Sequence, residues 1–311
     1  MPKQPLFIGG AGRSGTTMLG ALLGGAQGAV TTPESLFKNR LLTSGCPDAQ
    51  AALKRLEKSW RFRLWKTPLN TDEINGLDPR TTAADLLLWL VDRYATKENK
   101  PEWSCWIDHS PCNIRQVPTL LTHFPDAKFI HIVRDGRAIM ASFFNLTWGP
   151  AHPKSAAESW LRKLTPGLAA ECAYPDRVLR VRYEDLIEEP KKTLQSICAF
   201  ANLPYREEML TGSGFAVPEY TRHQHTLVGG GVDKSAAGRW KKQLTERDIE
   251  LFESIACDML EYLGYQKLLK PRDASIKMTR YERYIHYPYR KYLHNLGGHL
   301  QRKWAKFKAS Q

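Results

Sequence analysis

The chain has 311 residues, of which 42% are hydrophobic, so it can bury a full core and form one large domain with additions. It contains no run of about 18 consecutive apolar residues, which argues against a membrane-spanning helix. The formal net charge is +13, and residues 267–311 carry +10 of it, with twelve Lys or Arg against Asp273 and Glu282.

A β-like run begins within a few residues of the start, which leaves no room for a signal peptide and predicts a soluble, cytoplasmic protein. A luminal enzyme without its anchor would show the same pattern. Six cysteines are scattered without Cys-x-x-Cys spacing, which predicts free thiols and no zinc site.

The first predicted element is a strand at residues 6–8, followed by a glycine-rich loop and a helical pattern. From Gly9 to Thr17 the sequence reads Gly-Gly-Ala-Gly-Arg-Ser-Gly-Thr-Thr. This is a P-loop pattern, in which backbone N–H groups and the positive end of a helix favour an anion. A nucleoside triphosphatase has a lysine where this chain has Thr16, and the cation here is Arg13. The loop therefore predicts a site for a terminal phosphate that is esterified to another group.

A second short strand, residues 29–32, ends at Thr32-Pro33-Glu34. A right-handed crossover would bring Glu34 to the carboxyl edge of the sheet, near the loop. A carboxylate there could accept a proton from a hydroxyl if burial raised its pKa. The other interpretation, which the residues alone favour, is an ordinary carboxylate at a helix start.

The next segments predict a strand at residues 63–65, a helix over 83–94 and another over 113–123. Before the last of these, His109 follows the β-like run 103–107. A histidine at this strand end could donate when protonated, act as a base when neutral, or simply be hydrogen-bonded.

Residues 127–133 form the clearest buried strand, and Arg134 follows it at the predicted carboxyl edge. Ser142 lies eight residues later, two helical turns away, so both side chains can converge on one anion if the helix starts close to it. Arg134 would supply a bidentate fork for a phosphate. Arg137 and Asp135 are equally suited to a salt bridge.

The remaining pattern predicts a helix over residues 154–174 that is broken at 165–167, a strand from 178, and a helix over 190–203. Residues 210–233 are rich in Gly, Ser and Thr and predict a mobile loop. Thr245 is predicted to cap a helix with an apolar stripe. In the basic tail, Leu293, Leu296, Leu300, Trp304 and Phe307 recur at helical spacing. This pattern favours contact with an anionic membrane surface, or packing on the body of the protein or on another subunit. No motif of a nucleic-acid-binding fold is present.

Several of these motifs resemble those of sulfotransferases that use 3′-phosphoadenosine 5′-phosphosulfate (PAPS), especially the tyrosylprotein and bacterial carbohydrate branches. The motifs are the glycine-rich loop, the Arg134 and Ser142 pair, Tyr183-Glu184-Asp185-Leu186, and the run from Lys234 to Trp240. The similarity extends over residues 6–265. Asp233 stands where the cytosolic enzymes of the family have an arginine.

The resemblance implies a role for each donor-binding residue. The 5′-phosphosulfate group would be held by Arg13, Ser14, Gly15, Thr16 and Thr17. Arg134, Ser142 and Lys234 would bind the 3′-phosphate, and Tyr183 would approach the adenosine. The product would be 3′-phosphoadenosine 5′-phosphate (PAP), and no metal is expected.

The resemblance also offers two candidates for the base, beside Arg13 as the group that stabilises the leaving phosphate. Glu34 lies at the same interval after the loop arginine as the catalytic glutamate of tyrosylprotein sulfotransferases. His109 stands where related enzymes often have a lysine, and the cytosolic branch uses a histidine as base. The sequence leaves both open.

The expected fold is α/β, a P-loop-like parallel sheet flanked by helices, with a sulfotransferase domain at residues 1–266 and a basic helical extension at 267–311. The expected reaction moves a sulfuryl group from PAPS to an acceptor hydroxyl. A glycan or glycolipid is the preferred acceptor, with a peptide tyrosine as the alternative. A divergent P-loop kinase is a further alternative. The tail predicts peripheral contact with an anionic membrane.

Overall fold

The computed structural model describes residues 3–44, 48–67, 69–78, 80–144, 146, 148–217, 233, 237–268 and 276–293. The chain divides into two compact units. The first comprises Met1–Val133 and Pro166–Lys234, and the second Arg134–Thr165 and Ser235–Gln311. The predicted domain boundary at residue 266 stays a prediction.

A parallel sheet of five strands forms the centre of the first unit, in the order β2-β3-β1-β4-β5. The strands are β1 (Gln4–Gly10), β2 (Ala29–Thr32), β3 (Cys105–Asp108), β4 (Lys128–Val133) and β5 (Val178–Arg182). β1 lies in the middle, with Leu6 opposite Ile107 of β3 and Ile8 opposite Ile130 of β4. The predicted parallel α/β sheet is confirmed, and its carboxyl edge is where ligands of such folds bind.

The helices follow the strands in the alternation that parallel pairing requires. They are α1 (Thr16–Leu23), α2 (Phe37–Ser44), α3 (Ala49–Glu57), α4 (Trp60–Arg63), α5 (Thr71–Asn75), α6 (Ala83–Lys97), α7 (Val117–His123), α8 (Gly136–Phe144), α9 (Pro153–Ala173), α10 (Tyr183–Glu188), α11 (Pro190–Ala201), α12 (Trp240–Gln243) and α13 (Glu246–Tyr262). Short 3₁₀ turns occupy Pro111–Arg115 and Glu207–Thr211. Residues 280–293 are helical, with a π-helical stretch at Glu282–His286.

The core of the first unit is built around the aromatic ring of Phe7 on β1. Its centroid lies 5.6 Å from that of Trp106, 5.9 Å from that of Phe124 and 5.4 Å from that of Phe129. These rings come from β3, from the residue that follows α7 and from β4, so one side chain connects elements on both sides of the central strand. Helix α6, which the sequence predicts over residues 83–94, buries its apolar face in the same core.

The second unit fixes the first part of the basic tail. Asp248 of α13 is buried and accepts hydrogen bonds from the Tyr287 hydroxyl at 3.0 Å and from Arg290 Nη1 at 2.9 Å. Thr245 is the N-cap of α13, as predicted, and Asp248 completes a capping box by accepting a hydrogen bond from the Thr245 N–H. Residues 280–293 therefore pack on the body of this unit, while the apolar positions from Leu296 onward lie outside the described residues.

Two predicted elements are wrong. Residues 63–65 do not form a strand, because Phe62 and Trp65 are spaced three apart and turn their rings into the core beside Phe37. Helix α9 is continuous through Pro166-Gly167, where the sequence predicts a break. The Thr165 hydroxyl donates to the Leu161 carbonyl at 2.8 Å, and Gly167 leaves room for the buried ring of His131.

Cys105, Cys112, Cys172, Cys198 and Cys257 are free thiols, as predicted. In the described part of the chain, no helix combines the length and the apolar character needed to cross a membrane.

Candidate active site

The loop between β1 and α1 has a backbone suited to an anion. Arg13 and Gly15 adopt left-handed conformations, with φ of 73° and 101°, and the Ser14 N–H donates to the Ala11 carbonyl at 3.1 Å. Gly15 is the N-cap of α1, and no side chain in the described residues caps this helix. The first N–H groups of α1 are thus available to an anion at the positive helix end.

Polar side chains are buried along this loop. Ser14, Thr16 and Thr17 are 1%, 5% and 6% exposed. Within the part of the chain that the structure describes, Ser14 Oγ has no hydrogen-bond partner. A buried hydroxyl without a partner is costly, so an oxygen of a bound ligand would stabilise it. The loop therefore fits the phosphate-like group that its sequence predicts.

Two glycines let the loop lie close to its neighbours. A Cβ atom at Gly10 would lie 2.3 Å from the Ile132 carbonyl oxygen, and one at Gly15 would lie 2.6 Å from Cδ2 of Tyr183. Tyr183 is buried at the start of α10, so its ring packs directly on the start of α1. The structure thus brings the predicted adenosine-side tyrosine to the loop.

Glu34 lies two residues after β2 and is partly buried. Burial raises its pKa from 4.5 to about 7, and the negative charge of Asp108 acts in the same direction. The positive charges of Arg61, Lys38 and Arg13 oppose this rise. A carboxylate with a pKa near neutrality can accept a proton at physiological pH and release it again. Since the Arg13 charge affects the pKa of Glu34, the two residues lie within electrostatic range of each other.

A buried polar network joins the segment beside Glu34 to the end of β3. Asp108 Oδ1 accepts hydrogen bonds from the N–H and the hydroxyl of Ser110, at 2.9 and 2.6 Å, and Asp108 Oδ2 accepts one from the Ser35 hydroxyl. Lys38 Nζ lies 2.7 Å from Asp108 Oδ2 and donates to Asn113 Oδ1 at 2.6 Å. All five residues are fully buried. The network therefore holds an ion pair out of water.

Asp108 is ionised within this network. Burial by itself would raise the pKa of Asp108, but the Lys38 ammonium and hydrogen bonds from Lys38, Ser110 and Ser35 lower it to about 2. Its negative charge is thus present at all physiological pH values, and Glu34 experiences it.

His109 follows β3 directly and packs between α1 and Phe215. The two rings lie 5.1 Å apart, and a Cβ atom at Gly20 would be 3.1 Å from Cβ of His109. His109 is 3% exposed, and neither ring nitrogen has a hydrogen-bond partner among the described residues. Burial lowers its pKa to about 4, although the Asp108 charge acts in the opposite direction. The imidazole is therefore neutral at physiological pH, which disfavours a protonated donor at this position.

The predicted 3′-phosphate pair belongs to the second unit. Arg134 directly follows β4 in the chain, and Ser142 lies in α8. Both are partly buried. Arg137, the neighbouring arginine, pairs with Asp135 at 2.8 Å and with Glu253 at 2.6 Å. The salt bridge between Arg137 and Asp135 is thus confirmed.

Two expectations fall where the structure gives no description. Lys234 and most of the predicted mobile loop, residues 218–232, lie outside the described residues.

Among the residues that are described, no group of three or more His, Cys, Asp or Glu could hold a metal ion.

Sequence reasoning misses Lys38 and its buried network beside Glu34. The signal for Lys38 is its position in α2, where it lies beside Phe37 and three residues before Leu41 on the apolar face. A lysine on such a face needs a buried anionic partner. Nothing in the sequence, however, points to Asp108, seventy residues away, as that partner.

Comparison with known proteins gives a family and several relatives. The model of the sulfotransferase family matches residues 5–207. Protein-tyrosine sulfotransferase 1 of Danio rerio is 24% identical over 280 residues, which cover 86% of this chain and 73% of that protein. A putative protein-tyrosine sulfotransferase of Caenorhabditis briggsae is 24% identical over 238 residues, covering 74% of this chain and 72% of its own.

Solved structures with the same fold are also sulfotransferases. The sulfotransferase domain of the curacin biosynthetic pathway aligns with a TM-score of 0.56 at 20% identity, over 86% of this chain and 99% of the domain. The sulfotransferase domain of the Synechococcus PCC 7002 olefin synthase aligns with a TM-score of 0.55 at 25% identity, over 82% and 95%.

Proposed function

The chain belongs to the sulfotransferase family and is a PAPS-dependent sulfotransferase, and from this premise we propose that Glu34 is the base that accepts the proton of the acceptor hydroxyl. The observation that carries the proposal is the partly buried position of Glu34, two residues after β2 and within reach of the Asp108 charge, which together raise its pKa to about 7. A base with this pKa is mostly ionised just above neutrality, yet still binds a proton well enough to take one during the reaction.

His109 is the weaker candidate for the same role. With a pKa of about 4 it is a poor proton acceptor near neutrality, and it is enclosed by α1 and Phe215. We propose that His109 packs beside the site as a neutral imidazole.

The donor would be held by the residues that the sequence assigns to it. Arg13, Ser14, Gly15, Thr16 and Thr17 would bind the 5′-phosphosulfate. The Ser14 hydroxyl, which has no hydrogen-bond partner among the residues that the structure describes, and the N-terminus of α1 support this placement. Tyr183 would contact the adenosine, and its packing on Gly15 supports that placement. For Arg134, Ser142 and Lys234, contact with the 3′-phosphate rests on the sequence motifs.

The chain's own residues perform the remaining tasks. When bound, the donor supplies the sulfuryl group, whose sulfur bonds to the acceptor oxygen as its bond to the 5′-phosphate oxygen breaks. Glu34 receives the acceptor proton, and Arg13 stabilises the negative charge that the leaving phosphate gains. Positioning and charge stabilisation account for most of the rate in transfers of this type. We propose that no metal takes part.

For the acceptor, we propose the phenolic hydroxyl of a tyrosine in a protein or peptide. The named relatives that align over most of this chain are protein-tyrosine sulfotransferases. A phenol is also more acidic than an alcohol, so a base with a pKa near 7 removes its proton more readily. The net charge of +13 favours tyrosines in acidic surroundings. A glycan or glycolipid, the acceptor preferred from sequence alone, is the second candidate.

A labelled-donor assay separates these acceptors. Purified protein is incubated with sulfur-labelled PAPS and either an acidic peptide with one tyrosine, the same peptide with phenylalanine, or an uncharged glycan. We expect label in the tyrosine peptide alone, a loss of about 100-fold or more in Glu34→Gln, and a far smaller loss in His109→Gln. Glu102→Gln, an exposed position, is the matched control. Label in the glycan alone would move the assignment to the second candidate.

We also propose that the tail contacts an anionic membrane. The 280–293 helix exposes a set of large side chains: Tyr281, Tyr284, Ile285, Tyr289, Tyr292 and Leu293. Aromatic side chains among lysines and arginines suit the interface of a bilayer. Sedimentation with phosphatidylserine vesicles, but not with phosphatidylcholine vesicles, is the expected result, and substitution of Tyr284 and Tyr292 by serine should weaken it. Equal recovery from both kinds of vesicle would contradict the proposal.

A further inference from the structure

The ion pair between Lys38 and Asp108 is completely buried. Both side chains are 0% exposed, and Lys38 Nζ lies 2.7 Å from Asp108 Oδ2. Two charges are rarely taken out of water in this way, because their desolvation commonly offsets their attraction. The pair is therefore weak evidence for stability and invites a functional explanation.

The hydrogen bonds around the pair join residues of β1 and β3 to the segment after β2. Asn113, which accepts from Lys38, donates to the Ile8 carbonyl of β1 at 3.1 Å and to the Asp108 carbonyl at 2.9 Å. Ser35, the residue after Glu34, donates its hydroxyl to Asp108. The network thus connects β1, the end of β3 and the segment that follows β2.

The backbone of the residue next to Glu34 is also held by a hydrogen bond. The Ser35 N–H donates to Ser110 Oγ at 3.0 Å, and the Ser110 hydroxyl in turn donates to Asp108 at 2.6 Å. The peptide unit between Glu34 and Ser35 is therefore anchored to the end of β3. Since all of these groups are buried, the anchor leaves the Glu34 backbone little freedom.

We propose that Lys38 and Asp108 form a positioning pair for Glu34, one that fixes the backbone beside this carboxylate and sets the balance of charge around it. The inference rests on the proposed role of Glu34 as base. Neither residue of the pair is expected to touch the substrate, because both are fully enclosed by protein.

The charges that face Glu34 come from four elements. Asp108 at the end of β3 disfavours its ionisation, whereas Arg61 of α4, Lys38 of α2 and Arg13 of the loop favour it. The effect of Asp108 exceeds that of Lys38. Removal of the Asp108 charge should therefore lower the pKa of Glu34, even if Lys38 also gave up its proton.

The pH dependence of kcat/KM tests this effect of charge. In the wild type we expect the rate to fall below a pH of about 7 as Glu34 is protonated. In Asp108→Asn this acid limb should move to lower pH by about one unit, the size of shift that one close charge produces. Asp108→Asn leaves a buried ammonium, so the uncharged double variant Lys38→Met/Asp108→Asn is measured beside it. We expect its acid limb to move in the same direction, to lower pH.

Ser110→Ala is the matched control, because it removes the backbone anchor but no charge. We expect it to lower kcat severalfold and to leave the acid limb where it is in the wild type. An acid limb that stays at the wild-type pH in both charge variants would overturn the proposal and leave a purely structural pair.

The failure of the proposed base has a different signature. Glu34→Gln that kept wild-type activity would refute the role of Glu34, whatever the charge variants did. Calorimetric binding of PAP by each variant confirms that its donor site is folded. The two claims can therefore fail separately.

Discussion

Burial acts in opposite directions on the two side chains that the sequence offers as bases. It raises the pKa of Glu34 to about 7 and lowers that of His109 to about 4, since burial disfavours the charged form of each. The carboxylate thereby becomes a better proton acceptor and the imidazole a worse one. The sequence places both residues at strand ends, but it does not show how deeply each is buried.

Glu34 should reduce the stability of the protein at alkaline pH. Its folded-state pKa lies above its unfolded value of 4.5. The free energy of unfolding is therefore highest below pH 4.5, where the carboxyl is neutral, and this stability is lost as pH rises through about 7. A shift from 4.5 to about 7 corresponds to roughly 3 kcal/mol. Glu34→Gln should thus be more stable than the wild type at pH 8 and equally stable at pH 4.

Urea unfolding at both pH values measures this difference. Glu102→Gln serves as the control, because the exposed carboxylate of Glu102 should show no such dependence on pH. A gain at pH 8 that Glu34→Gln shares with the control, or no gain at all, would contradict the inferred burial of the charge.

Among the elements, helix α9 shows how a local signal is overridden by packing. Pro166-Gly167 predicts a break, yet the helix continues through both residues, and the ring of His131 of β4 occupies the space that a side chain at Gly167 would fill. His131 is held by Glu171, which also accepts a hydrogen bond from Arg180 of β5 at 2.7 Å. The glycine therefore marks a close approach of helix and sheet rather than the end of a helix.

Gly167→Ala should destabilise the protein. A Cβ atom there would lie 2.2 Å from Cε1 of His131, and overpacking of this kind costs about 2 kcal/mol. Gly238→Ala is the matched control, since a Cβ atom there meets nothing within 4 Å. Thermal unfolding of both variants is the measurement. Equal stability of the two would show that the ring of His131 moves aside at no cost.

At the scale of the whole molecule, the sequence predicts the regular part of the fold. The apolar runs of β1 and β4, and the glycine-rich loop between β1 and α1, suffice for a parallel sheet with ligands at its carboxyl edge. The candidate residues Glu34, His109 and Tyr183 each follow a strand that the pattern identifies. The resemblance to the family depends on the order of these residues along the chain.

What the sequence does not predict depends on contacts between distant residues. Lys38 and Asp108 are seventy positions apart, and only the folded sheet brings them together. Likewise, the sequence leaves open whether the basic tail packs on the body of the protein, and only the structure shows that Tyr287 and Arg290 attach residues 280–293 to Asp248. Periodicity shows which face of a helix is apolar and leaves open what that face meets.

The most direct test of the account is a calorimetric titration with PAP in the presence of a chelator. The wild type should bind without metal, and Arg134→Ala should bind roughly 10-fold or more weakly, because a charge-assisted contact to phosphate is lost. Arg177→Ala, a more exposed arginine on the surface, should bind as the wild type does. Binding of ATP with Mg²⁺ but not of PAP would contradict this assignment and would favour the alternative of a divergent P-loop kinase.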